Sequence, residues 1–325
     1  MPHPSASLAT LRPDLGASFE EFDLAMDRLG FIGLQVLPVI EVNVKAGTYG
    51  SIPIEELLRD TETQRAPGAK YNQVDWQFET KTFACKENGI KVPVDDNNAQ
   101  ALRDYFDAEM VSAGIARDRV LRNHEKRVAA AVFNTTTFTG AALTTAVGTP
   151  WSTIASATPV SDVEAAVRKV YANSGIWPNA IVMSRTTFRN CRNCADVIAR
   201  VNSSGAGSAS KASDITPEML AAVFDLKRVI VAGSSKNTAK QGQAASLASI
   251  WANTMAMVCR VAETNNIAEP CLGRTFHWGA DGSSIGATME SYRDEDARAD
   301  MIRARQDTDE KIIEANFGHL LTSVG

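Results

Sequence analysis

The feature that most constrains this chain is a helical pattern too long for an ordinary domain. It opens at Asp95-Asp96-Asn97, a cluster suited to capping a helix N-terminus, just after Pro93, and continues to about Phe133. Leu102, Phe106, Met110, Leu121, His124, Val128 and Val132 fall near one stripe, with Arg103, Asp107, Arg117, Asp118 and Arg122 elsewhere. Gly114 interrupts the stripe and marks a candidate bend. At about 1.5 Å per residue the segment reaches on the order of 50 Å, longer than a small globular core can cover.

Other segments also lack local partners. Ser18-Phe-Glu-Glu21 has capping-box spacing, and Phe19, Phe22, Met26 and Leu29 recur at helical intervals up to Gly30. Ile40, Val42 and Val44 alternate with polar residues, as do Val74, Trp76 and Phe78. A polar stretch with Pro67-Gly68 lies between them, so the two runs are expected to pair as a long ribbon with a loose tip. A two-stranded ribbon is marginal alone in water and needs a surface to lie on.

From about residue 135 the pattern becomes that of a compact α/β unit. Ser161-Asp-Val-Glu164 opens a helix that stops near Gly175, and Pro178–Ser184 is a buried strand followed by a helix to about Val201. The stretch 203–213 is a Gly/Ser/Ala loop, and Thr216-Pro217 starts another helix. Val229–Ala232 and Ile250–Val261 are strand candidates. In the last fifty residues or so, 275–278, 288–293, 299–305 and 310–314 suggest antiparallel strands with charged turns.

The chemistry-bearing residues do not converge. His3, His124, His277 and His319 have no acid or cysteine at ligand spacing, and Cys191-Arg-Asn-Cys194 lacks the second pair a zinc site needs. A redox role for that pair is the weaker alternative to two small thiols on a helix face. Cys85, Cys259 and Cys271 complete an odd, scattered set, suited to reduced buried thiols. Gly233-Ser-Ser-Lys236 lacks the ending of a phosphate loop, and Glu55-Glu56, Asp95-Asp96 and 294–296 are acids in caps or turns. No catalytic residue, metal or cofactor is therefore expected. The net charge of -5 argues against a surface that grips nucleic acid by its phosphates. The longest apolar run, Leu29–Ile40, is too short and too interrupted for a membrane span, and the first residues lack the apolar segment of a secretory leader.

The order of these parts resembles the major capsid proteins of tailed bacteriophages, the family of the Hong Kong 97-type fold. The motifs that carry the resemblance are Val36-Leu-Pro-Val-Ile40, Pro178-Asn-Ala-Ile-Val-Met183, Gly273-Arg-Thr-Phe-His-Trp278, Tyr292-Arg-Asp-Glu295 with Ile302-Arg-Ala-Arg305, and Asp309-Glu-Lys-Ile312. They occur in the family's order along nearly the whole chain. The resemblance implies an α+β protein with an N-terminal arm (1–38), an extended hairpin loop (39–93) and a spine helix (94–134). An axial α/β domain (135–271) and C-terminal strands completing a peripheral domain (272–325) follow.

It further implies a structural, non-enzymatic virion protein, made in the host cytoplasm and partnered mainly by itself in hexamers and pentamers. A separate scaffolding protein, a portal and packaged double-stranded DNA held without sequence-specific contacts complete the expected partners; no membrane is expected. The folded pattern starts within about twenty residues of Met1, so no maturation cleavage is expected, and Lys70 near the ribbon tip is taken as solvated and not cross-linked. The expected inter-subunit contacts are Val74, Trp76 and Phe78 on the ribbon and Phe19, Phe22 and Met26 on the arm, although Phe19 and Phe22 could equally pack on their own subunit. Two other readings stay open: an encapsulin-like nanocompartment shell protein, and a soluble α/β enzyme of unknown substrate.

Overall fold

The computed structural model describes residues 27–102, 107–203, 214–280 and 282–325. Two five-stranded sheets organise them. The central sheet has the order β5 (Thr144–Ala146), β14 (Gly318–Thr322), β10 (Met255–Cys259), β6 (Ala180–Ser184), β7 (Arg228–Ala232). Its three middle strands are buried on both faces, and their alternation sorts side chains between two cores. Ile181, Met183, Ala256, Val258 and Leu321 face helices Pro159–Ser174, Arg185–Asn193, Ala195–Ser203 and Pro217–Val223. Ala180, Val182, Met257, Cys259 and Leu320 face the opposite core, which contains Trp251, Phe138 and Leu37.

The peripheral sheet is built around β13 (Ala299–Ile312). β4 (Lys86–Asp95) pairs along one side; β12 (Thr288–Asp294) and β11 (Gly273–Trp278) pair with successive parts of β13, and β1 (Val39–Val42) runs parallel to β11. The helix Ala108–Val132 joins the two units. Its first half sets Ala116 and Val120 against Ala287 and Ala304 of the peripheral unit, and its last turns bury Val128, Ala129 and Val132 in the central core.

Several expectations need correction. The long helix does not run unbroken from 95 to 133: a helix spans Asp96–Leu102, and a new one starts at Ala108. The cause is Asp107, whose carboxylate accepts from the backbone N–H groups of Glu109 and Met110 and so caps a fresh N-terminus. The 25-residue helix that results is about 37 Å long. It continues through Gly114, and Met110 is exposed, so the buried stripe is Ala116, Val120, His124, Val128 and Val132. Pro93 does not end the preceding region; it sits inside β4 opposite Met301, on an edge strand where its missing N–H costs no ladder bond.

The ribbon also differs. β1 belongs to the peripheral sheet, and Val74, Trp76 and Phe78 lie in no strand. The pair that forms is β2 (Ala46–Ser51) with β3 (Glu79–Ala84). A Cβ on Gly47 would come within 3.1 Å of the Phe83 ring, so glycine there leaves space for Phe83 to lie across the ribbon. That need for a bare backbone hid the strand from any alternation test.

Further along, the helix expected from Ser161 begins at Pro159, with proline in its first turn, and Gly175 closes it at φ 67°. The helix expected to run to Val201 breaks at Cys194. The segments 299–305 and 310–314 fall largely on the single strand β13. The final strand, β14, joins the central sheet and not the peripheral one, so the segment 272–325 serves both units.

Candidate assembly surfaces

The β2–β3 ribbon is tied to the peripheral sheet at its base. Phe83 stacks on Phe276 with ring centroids 4.8 Å apart, and Tyr49 lies 5.8 Å from the same ring. Lys81 Nζ donates to the carbonyl of Ile313 at 2.8 Å and pairs with Glu314 at 3.1 Å. Ala84 N–H donates to Asp309 Oδ2, and Lys45 pairs with Asp307 at 3.0 Å. These contacts hold the base, and Leu58 of the tip reaches Gly175 of the central unit, where an added Cβ would come within 2.8 Å of Leu58 Cδ1.

Beyond Ser51 the tip has organisation but little cover. The short helix Ile54–Leu57 starts it, the Arg65 guanidinium stacks 4.5 Å over Tyr71, and Asn72 Nδ2 donates to the Glu62 carbonyl at 2.7 Å. Val74, Trp76 and Phe78 are 59%, 60% and 61% exposed, and Tyr71 is 79% exposed. The Trp76 and Phe78 rings lie 6.0 Å apart, so the structure brings these two predicted contact residues together in solvent. Lys70, close by, is exposed. Leu57 and Leu58, which the sequence reading did not single out, add two more exposed apolar side chains. Their signal was the helical spacing of Ile54 and Leu57 in a stretch otherwise dominated by charge. A run of large apolar side chains in water on a strap marks a binding surface. Phe19, Phe22 and Met26 lie outside the described residues.

The residues considered for chemistry do not assemble into a reactive centre. Cys191 and Cys194 are buried in the central core; burial raises both thiols, Cys194 to about 11 and Cys191 well above the ordinary range. Burial also raises Cys85 to about 11 and Cys259 to about 12, so neither is primed as a thiolate. Gly233-Ser-Ser-Lys236 runs into strand β8 (Ser235–Asn237), which pairs with β9 (Leu247–Ser249). His124, His277 and His319 are buried, and His3 lies outside the described residues. Among the described residues no three His, Cys, Asp or Glu side chains are placed to hold a metal, and no helix is long and apolar enough to cross a membrane.

A central α/β sheet, a peripheral sheet around one long strand, a joining helix and a projecting ribbon define the α+β Hong Kong 97-type capsid fold. Solved structures share it across nearly the whole chain. A phage-related protein from Bordetella bronchiseptica superposes with a TM-score of 0.65 at 18% identity, covering 93% of this chain and 96% of its own. The capsid of cyanophage P-SCSP1u gives 0.59 at 8% identity, covering 88% and 86%. The SrpI encapsulin of Synechococcus elongatus gives 0.51 at 8% identity, covering 98% and 93%. No family model and no curated protein sequence matches the chain.

Proposed function

We propose that this chain is the major capsid subunit of a tailed-phage particle. In this reading it assembles into hexamers and pentamers of an icosahedral shell around double-stranded DNA. The observation that carries the reading is the ribbon tip. It presents Tyr71, Val74, Trp76 and Phe78 to solvent within a fold shared with phage capsids. A neighbouring subunit supplies the missing cover, as obligate interfaces of about 2,000 Å² or more do. Heterologous contacts of this kind close into rings when the rotation between subunits allows. The acidic net charge of -5 suits a wall that encloses DNA without reading it. A separate scaffolding protein and a portal complete the assembly in this reading, with Lys70 left uncross-linked.

The test is Trp76→Glu. A charge at this exposed site leaves the subunit folded by circular dichroism but eluting as a small species, because the neighbour's apolar contact cannot accept it. Normal shells from the variant would refute the role of the tip. An encapsulin-like shell is the second reading, favoured by the shared fold. Particles purified from the native host separate the two: the capsid reading expects nuclease-protected double-stranded DNA inside, the other a protein cargo.

A further inference from the structure

A groove of about 1210 Å³ lies between the joining helix, β4 and the β8–β9 hairpin. Ile115, Arg119, Arg122 and Lys126 line it from one face of the helix, recurring every three or four residues. The groove therefore follows about 16 Å of the helix axis. The opposite wall is held in place at its foot. Arg122 pairs with Asp118 at 2.9 Å and with Asp27 at 2.7 Å, and it donates to the carbonyl of Ser235, the first residue of β8.

That clasp uses up the acid of the groove. Asp118 is its acidic lining residue, and Arg122 already holds it. Arg119 and Lys126 on the helix and Lys236 on the hairpin take part in no ion pair among the described residues. A chain with a net charge of -5 thus carries a local cationic concavity, where the field of like charges is focused on an incoming anion. The lining is also apolar in part. Leu247 is 70% exposed, and Ile90 and Ile115 are half-buried beside it. A phosphate backbone would satisfy the three cations and leave Leu247 in water. A carboxylate-bearing segment with an apolar face satisfies both.

We propose that this groove binds an acidic amphipathic peptide segment of a partner protein. Its carboxylates lie against Arg119, Lys126 and Lys236, and its apolar side chains cover Leu247 and Ile115. About three helical turns, or about five extended residues, span the groove along the joining helix. The groove is formed within one subunit, so the inference goes beyond the shell reading and does not rest on it.

The probe is a fluorescein-labelled peptide of about three helical turns, built of glutamate with leucine at every third or fourth position. Purified full-length protein is titrated into it and followed by fluorescence anisotropy. Saturable binding is expected. Lys126→Glu with Lys236→Glu should weaken it about tenfold or more, and Leu247→Ser, which leaves the charge unchanged, severalfold. Lys126 and Leu247 are exposed, and circular dichroism checks that the variants keep the fold. A peptide with serine in place of leucine should bind several times more weakly than the probe. Absence of saturable binding, or binding that neither variant weakens, would overturn the proposal, as would equal affinity for the serine peptide. Tighter binding of a short duplex DNA, lost in the double lysine variant, would assign the groove to nucleic acid and overturn it as well.

Discussion

Glu125 is buried in the joining helix and accepts three hydrogen bonds from two separate segments: Ile32 N–H at 2.9 Å and Gly33 N–H at 2.7 Å from one, and Trp251 Nε1–H at 2.6 Å from the other. Burial raises its pKa, and these three donors oppose the rise. Glu125→Gln replaces one acceptor oxygen with a donor that faces N–H groups, at a cost of about 1–3 kcal/mol. Denaturant unfolding followed by tryptophan fluorescence should show a lower midpoint, and an unchanged midpoint would contradict the role. His124, next in sequence, lies 3.5 Å from Glu310 and near Arg127. Burial pushes its pKa down to about 4, with Glu310 opposing and Arg127 adding to the shift. The unfolded imidazole takes its proton near pH 6.5 and the folded one near 4, so this group's contribution to stability is lost as pH falls between those values, by up to about 1.4 kcal/mol per unit. Glu310, whose pKa is lowered, adds an acid loss at lower pH, whereas Glu125, whose pKa is raised, loses its contribution as pH rises. A His124→Gln variant should flatten the stability profile between pH 6.5 and 4; an unaltered slope would show that His124 does not govern it.

The ribbon is the element on which fold and function meet. Its anchor is the Phe83–Phe276 stack, and Phe83→Ala should cost about 3–5 kcal/mol locally and expose the ribbon to limited proteolysis. Protease cleavage mapped to residues 46–84 at the wild-type rate would contradict that anchoring. This element also shows what the sequence could and could not reveal. Trp76 and Phe78 were legible as apolar residues lacking a local partner, and they stand in solvent as that reading implied. Their strand assignment failed because alternation was the only signal, and no partner strand meets that stretch. β2 was illegible because Gly47 and Gly50 stand where the usual apolar side chains would alternate, Gly47 making room for the Phe83 ring. β6, by contrast, was plain: a strand buried on both faces reads as an unbroken apolar run, here Ala180–Met183. The break at residue 107 was hidden because a capping aspartate within a long helical pattern looks like any other charged position. The groove beside the helix could not be seen at all, since it joins residues 88–90, 115–126 and 235–247 that only the tertiary fold brings together.

At the scale of the whole molecule, one helix sets two sheets in fixed relation. Its first half packs on the peripheral unit, its last turns enter the central core, and Glu125 binds the segment leading to β1. The ribbon tip carries the exposed apolar run Tyr71, Val74, Trp76 and Phe78. The most direct test is negative-stain electron microscopy of the purified protein beside size-exclusion chromatography. Closed shells, tubes or ring-shaped capsomers are expected. A uniform small oligomer, with no higher assembly under any solution condition, would contradict the account.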